Sequence, residues 1–114
     1  MDTVLTGEGY VVLRDAAEGV VALKGVLRLN GMAEYAPIVD ALNAALAGGR
    51  PLTINVTELE FLNSSGIAMM SRFVIESRNN NQSLRIIASE RIPWQGKSLR
   101  NLQSLMPALD LAFG

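Results

Sequence analysis

The chain has 114 residues, 49% of them hydrophobic and 18% charged, with a formal net charge of −1. That is enough apolar material for one domain, spanning residues 1–114, with one core, and too little charge for disorder. Lys and Arg are scattered, which excludes the basic stripe a phosphate backbone requires, so nucleic acid is not an expected partner.

The elements are best taken in chain order. The start, "MDTVLTGEGY", is acidic and lacks the basic and apolar regions of a signal peptide. "GYVVLRD" (Gly9–Asp15) and "VVALKG" (Val20–Gly25) are strand-type runs joined by the turn Ala16–Gly19, which predicts a hairpin. Lys24 and Arg28 interrupt the longest apolar run, so no membrane span is expected. Ile38, Val39, Leu42, Ala45 and Leu46 recur at helical spacing, and Gly48 and Gly49 close that helix. Pro37 fits best in a first turn, which places the helix start nearer Tyr35 than Met32.

Leu52, Ile54 and Val56 alternate with Thr53, Asn55 and Thr57, a strand pattern. Ile67, Met70 and Val74 then share one side of a second helix, which stops at Asn79–Asn81. Ser83–Ser89 is another strand. Leu99, Leu102, Leu105 and Met106 mark a third helix ending at Pro107, and "ALDLAF" is either a short strand or a tail. The order β-β-α-β-α-β-α-(β) predicts an α/β fold: a mixed, mostly parallel sheet with helices packed against it.

The chain has no Cys and no His. Disulfides, thiolate chemistry and most zinc sites are excluded, and no cofactor or metal is expected. The usual base for a serine nucleophile is missing as well. A soluble, cytoplasmic protein that is not an enzyme fits these bounds.

Chemistry concentrates in "FLNSSGIAMM" (Phe61–Met70), where strand period gives way to helix period. In the plain reading Asn63 or Ser64 caps the helix, Ser65 lies in its first turn and Gly66 permits a close approach. In the sharper reading an exposed hydroxyl sits where open α/β sheets present functional loops. The helix's positive end favours a phosphate there. Phosphorylation would add about −1.5 to −2 charges at neutral pH and could repel a docked partner.

"ELEFLNSSGIAMMSRF" resembles the strand–loop–helix signature of STAS domains, the fold of bacterial anti-sigma factor antagonists. "VVALKGVL" resembles the family's earlier strand ending in a Gly turn, and "KSLRNLQSLMPALDLAF" its last helix and terminal segment. The resemblance implies a module in signal transduction and transcription regulation. Its partner would be an anti-sigma factor or serine-kinase-like protein, with a serine phosphatase to reverse the modification. By position Ser64 is the phosphorylated residue, with Ser65 the alternative hydroxyl and Gly66 the close-approach glycine. The helix Ile67–Arg78 and the loop after Gly25 would flank the docking face. Two residues depart from the pattern. Asn63 stands where the family carries Asp, and basic Arg28 where antagonists tend to be acidic.

The candidate docking set is therefore Arg28, Asn63, Ser64, Ser65, Gly66, Ile67, Met69, Arg72 and Phe73. Met69 and Phe73 lie four apart; a broad buried face explains that spacing, and an apolar docking patch is the functional alternative. Arg72 and Arg78 are solvated helix residues or anion contacts. Trp94 suits a core plug. Glu58 and Glu60 lie at a strand end without His or a ligand cluster, as solvated charges do. Two other functions compete with the switch. One is a STAS scaffold without phosphorylation, or a binder of a small anion or lipid-like ligand at the helix start. The other is a serine-nucleophile hydrolase, disfavoured because "NSSGI" lacks the Gly-x-Ser-x-Gly elbow.

Overall fold

Alternation and helical spacing become nine elements in a computed structural model, which describes residues 1–47 and 49–114. They are β1 (Asp2–Gly7), β2 (Tyr10–Asp15), β3 (Val20–Leu27), α1 (Gly31–Leu46), β4 (Leu52–Leu62), α2 (Ser64–Asn79), β5 (Leu84–Ala88), α3 (Gln95–Leu105) and β6 (Asp110–Phe113). The sheet runs β1-β2-β3-β4-β5-β6 in space. The first two pairings are antiparallel and the last three parallel. Each parallel step needs a crossover, which α1, α2 and α3 supply in turn. "ALDLAF" thus resolves as a strand, β6, beside β5.

Burial follows the pleat. Leu52, Ile54 and Val56 of β4 and Leu84, Ile86 and Ala88 of β5 are buried, while Thr53, Asn55, Arg85 and Ile87 between them are not. A period of two puts one set against the helices and the other on the uncovered face. Tyr35, Ile38, Leu42 and Leu46 of α1 and Met69, Met70, Phe73 and Val74 of α2 close over the buried side.

Three expectations need correction. The first strand, β1, precedes Gly9 and went unread, because its Thr-rich run is mostly exposed and carries little alternation. A register shift between Thr3 and Leu5 further breaks its period. Next, β3 continues through Gly25 to Leu27. Gly25 has φ +95, and a Cβ there would collide with the Gly9 carbonyl oxygen, so only glycine carries the strand past this point. The strand resumes at once, with Val26 N–H donating to Gly9 O at 2.8 Å.

The third correction is α1, which starts at Gly31, so Pro37 lies inside the helix and not in its first turn. A proline there removes one helix bond and costs about 3 kcal/mol in a free helix. Here the first turn is held by side chains, one from α2 and one of its own: Gly31 N–H donates to Ser65 Oγ at 3.2 Å, and Asn30 N–H to Glu34 Oε1 at 3.1 Å. Buried Tyr35 adds packing ahead of the proline. At the other end Gly49, with φ +74, donates to Leu46 O; the Gly48 expectation lies outside the described residues.

β4 outruns its neighbour. It pairs with β5 only over Leu52–Asn55 but follows β3 to Leu62. The carbonyls freed beyond Asn55 are taken by side chains instead. Buried Gln95 donates to Val56 O at 2.7 Å and Leu59 O at 3.0 Å, and Trp94 Nε1 donates to Leu59 O at 3.0 Å. Gln95 Oε1 in turn accepts from Ser89 N–H at 2.8 Å. Half-buried Trp94 therefore plugs the core edge and also braces the strand that delivers the Asn63–Gly66 junction.

Candidate functional site

The junction forms where β4 ends at Leu62 and α2 begins at Ser64. Asn63 is the N-cap, with Oδ1 accepting from Gly66 N–H at 2.9 Å. The same Oδ1 accepts from the Tyr35 hydroxyl at 2.7 Å, and Nδ2 donates to Leu29 O at 2.8 Å. Its backbone joins in: Asn63 N–H donates to Leu27 O at 3.2 Å and its carbonyl accepts from Ile67 N–H at 2.9 Å. One half-buried residue thus ties β3, α1 and α2 together.

This network explains the neutral residue at position 63. Oδ1 receives two donors, while the other atom of the amide must itself donate to a carbonyl. An aspartate would set a second acceptor against Leu29 O and leave that carbonyl without its partner.

Gly66 is buried at the base of the junction, and a Cβ there would lie 2.7 Å from both Leu62 Cγ and the Tyr35 hydroxyl oxygen. Any larger residue there would have to displace Leu62 and Tyr35. Ser65 is half-buried and its Oγ holds Gly31 N–H at the start of α1. Ser64 is exposed, and among the described residues its hydroxyl has no hydrogen-bond partner. The two adjacent hydroxyls thus differ: one is a tether and the other is free. The first turn of α2 carries no acidic side chain.

Several of the expected docking residues are on the elements that meet at the junction. Arg28 is exposed, its guanidinium 5.0 Å from the centroid of the Phe61 ring. Arg72 is exposed and only loosely paired with Glu76, at 3.8 Å. Ile67 is half-buried at the edge of the core. Met69 and Phe73 do not belong to this surface. They are 0% and 2% exposed, so their docking role is withdrawn in favour of core packing. They extend the α2 stripe beyond Ile67, Met70 and Val74 because the helix is covered by both α1 and the sheet. Arg78 donates to Leu105 O at 2.9 Å and so serves the α2–α3 contact. Glu58 lies within β4, not at its end, and pairs with Lys24 at 2.9 Å.

Tyr35, Gly31 and Phe61 were missed by sequence reasoning. Tyr35 had a signal: it precedes Ile38 by three and extends the Ile38–Leu42–Leu46 stripe. A tyrosine in such a stripe needs a partner for its hydroxyl.

Burial pushes the Tyr35 hydroxyl above its ordinary pKa of 10.0, Tyr10 adding to the rise, and the Leu29 backbone only partly offsets it. The unfolded chain therefore releases this proton near pH 10 while the folded chain still holds it. This contribution to stability is intact below pH 10 and is lost as pH rises through the folded value. Unfolding titrations of Tyr35→Phe are expected to fall less steeply above pH 10 than those of the native chain; equal slopes would remove the hydroxyl from that dependence.

Among the described residues no group of three or more His, Cys, Asp or Glu gathers as metal ligands, and no helix is long and apolar enough to cross a membrane. Among the described residues no base is hydrogen-bonded to Ser64 to make it a nucleophile. What the site offers is a free hydroxyl, a rigid helix start and an exposed cation stacked on an aromatic ring.

Sheet order, crossovers and this junction define a class, and the family comparison agrees. The chain belongs to the STAS domain family: the profile described as "Mlab, STAS domain" matches residues 11–106. In structure it is similar to apo-SiaC from Pseudomonas aeruginosa, with a TM-score of 0.71, 18% identity, and coverage of 99% of this chain and 96% of that one. It is also similar to a chain in the crystal structure of the diguanylate cyclase SiaD in complex with its activator SiaC, from the same organism. There the TM-score is 0.68 at 18% identity, covering 91% of this chain and 89% of that one. A further SiaC structure gives a TM-score of 0.68 at 19% identity, covering 100% and 97%. No functionally curated protein matches the chain in sequence.

Proposed function

We propose that this chain is a regulatory docking module, not an enzyme, that binds a signalling protein through the surface around Asn63–Gly66, with Ser64 as its switch. The partner in this reading is a serine kinase of the anti-sigma-factor type, and phosphorylation of Ser64 weakens the complex. One observation carries the choice of residue: Ser64 is exposed and free, whereas Ser65 is committed to Gly31. SiaC, described as the activator of a diguanylate cyclase, supports docking of a signalling protein as the activity of this fold. Arg28, Ile67 and Arg72 flank the hydroxyl and complete the face. Basic Arg28 calls for an acidic counterpart on the partner, where the usual antagonist would meet a basic one.

The test locates phosphate by mass spectrometry after incubation with the cognate kinase. Phosphate on Ser64, absent from Ser64→Ala, is expected; modification confined to other residues sinks the switch. In partner binding, Ser64→Ala should retain the complex and Ser64→Asp should weaken it, by roughly fivefold or more for one misplaced charge at a docking face. A second reading keeps the docking and drops the phosphate. Asn63 favours it, because the neutral amide brings no charge where the family carries Asp. Equal binding by both variants would select that reading.

A further inference from the structure

We propose that Arg28 is the internal receptor for a phosphate on Ser64, so that modification draws its guanidinium off the Phe61 ring and cancels one exposed cation of the docking face. The inference rests on the reading of Ser64 as the modified residue and specifies how that modification acts.

Backbone geometry places the two residues together. Leu27 O and Leu29 O both bond to Asn63, the first to its N–H at 3.2 Å and the second to its Nδ2 at 2.8 Å. Arg28 lies between those two carbonyls and Ser64 directly follows Asn63, so their backbones are neighbours across the β3–β4 end. Both side chains are exposed. The guanidinium is occupied only weakly: it stacks 5.0 Å from the Phe61 centroid and makes no ion pair among the described residues. Phe61 is itself 38% exposed, so the stack lies in water, where a cation–π contact is at its weakest.

The other charges nearby do not compete for the phosphate. Arg72 lies eight residues, about two helical turns, beyond Ser64, and Lys24 is held by Glu58 at 2.9 Å. Glu34 accepts from Asn30 N–H at the start of α1. A dianion on Ser64 outweighs an exposed ring as a partner for a planar, forked donor. The same movement leaves Phe61 bare. Modification then changes the face twice, by neutralising one of its exposed cations and by uncovering an aromatic ring. A simple added charge would do neither.

The experiment installs phosphoserine at position 64 during synthesis, in the full native chain and in Arg28→Gln, and follows both by phosphorus NMR against pH. With Arg28 present the phosphate's second ionisation is expected a few tenths of a unit lower than in Arg28→Gln, the size an exposed ion pair supports. Phosphorylation should also move the Arg28 δ-methylene protons out of the ring-current shift imposed by Phe61. Arg28→Lys should recover part of the lowered ionisation, since it restores charge but not the fork. Identical titrations in the native and Arg28→Gln chains overturn the proposal. Because the phosphate is installed directly, a kinase that ignores Ser64 would defeat the proposed switch without altering this result.

Discussion

Asn63→Ala is expected to lower the unfolding free energy by about 2–4 kcal/mol: roughly 1 for the lost helix cap and about 1–3 for the buried Tyr35 hydroxyl left without its acceptor. The estimate follows from where the amide's bonds go. Oδ1 serves Gly66 N–H and Tyr35, and Nδ2 serves Leu29 O, so truncation frees donors on α2 and α1 and an acceptor in the β3–α1 connection at once. Urea denaturation measures the loss. A double-mutant cycle with Tyr35→Phe isolates its largest part. Alone, Tyr35→Phe removes one buried bond and costs about 1 kcal/mol. In the Asn63→Ala background the hydroxyl is already unpartnered, so the same change should cost nothing or restore stability. Additive costs would show that the two side chains are not coupled. Asn63→Asp should fall between native and alanine, since it keeps the cap and the tyrosine contact but turns an acceptor toward Leu29 O.

Gly66→Ala is the second large effect, and its sign is the point. In an exposed helix the change would stabilise by about 1 kcal/mol. Here the new methyl group would sit 2.7 Å from Leu62 Cγ and from the Tyr35 hydroxyl oxygen, well inside contact distance. Leu62 is 4% exposed and cannot swing into solvent, and Tyr35 is fully enclosed. Overpacking of this kind costs about 1–3 kcal/mol and should outweigh the helix gain. Displacing Tyr35 also pulls on Asn63, so the loop carrying Ser64 should loosen. Faster hydrogen exchange at Gly66 and Ile67 would report that. The control is Ala68→Gly on the exposed side of the same turn, expected to cost about 1 kcal/mol from helix propensity alone. A stabilised Gly66→Ala would show that the core yields there and that the glycine is not sterically required.

Both effects arise at residues whose type was visible in the chain and whose partners were not. "NSSG" after a strand pattern announced a cap, a pair of hydroxyls and a glycine. Asn63 as N-cap and Gly66 as the close-approach glycine are both found in the structure. The resemblance assigned Ser64 by position, but the difference in bonding between the two hydroxyls was not legible, because it depends on Gly31, 34 residues earlier in the chain. Met69 and Phe73 show the converse. Their four-residue spacing favours a buried stripe but also fits a docking patch, and the packing of α1 and the sheet against α2 decides for burial.

Pro37 and β1 show the limits of local rules. Proline's preference for a first turn placed the start of α1 too late, because contacts from Ser65 and Glu34 hold a turn that propensity alone would not. β1 carries little alternation and borrows its order from β2. Local pattern, being periodic in covalent sequence, determined the alternation of strands and helices, the mixed sheet and the site's position at the end of β4. The tertiary structure decided what each side chain at that site is free to do. Freedom there is set by bonds closed between residues far apart in the chain, and no local period encodes those.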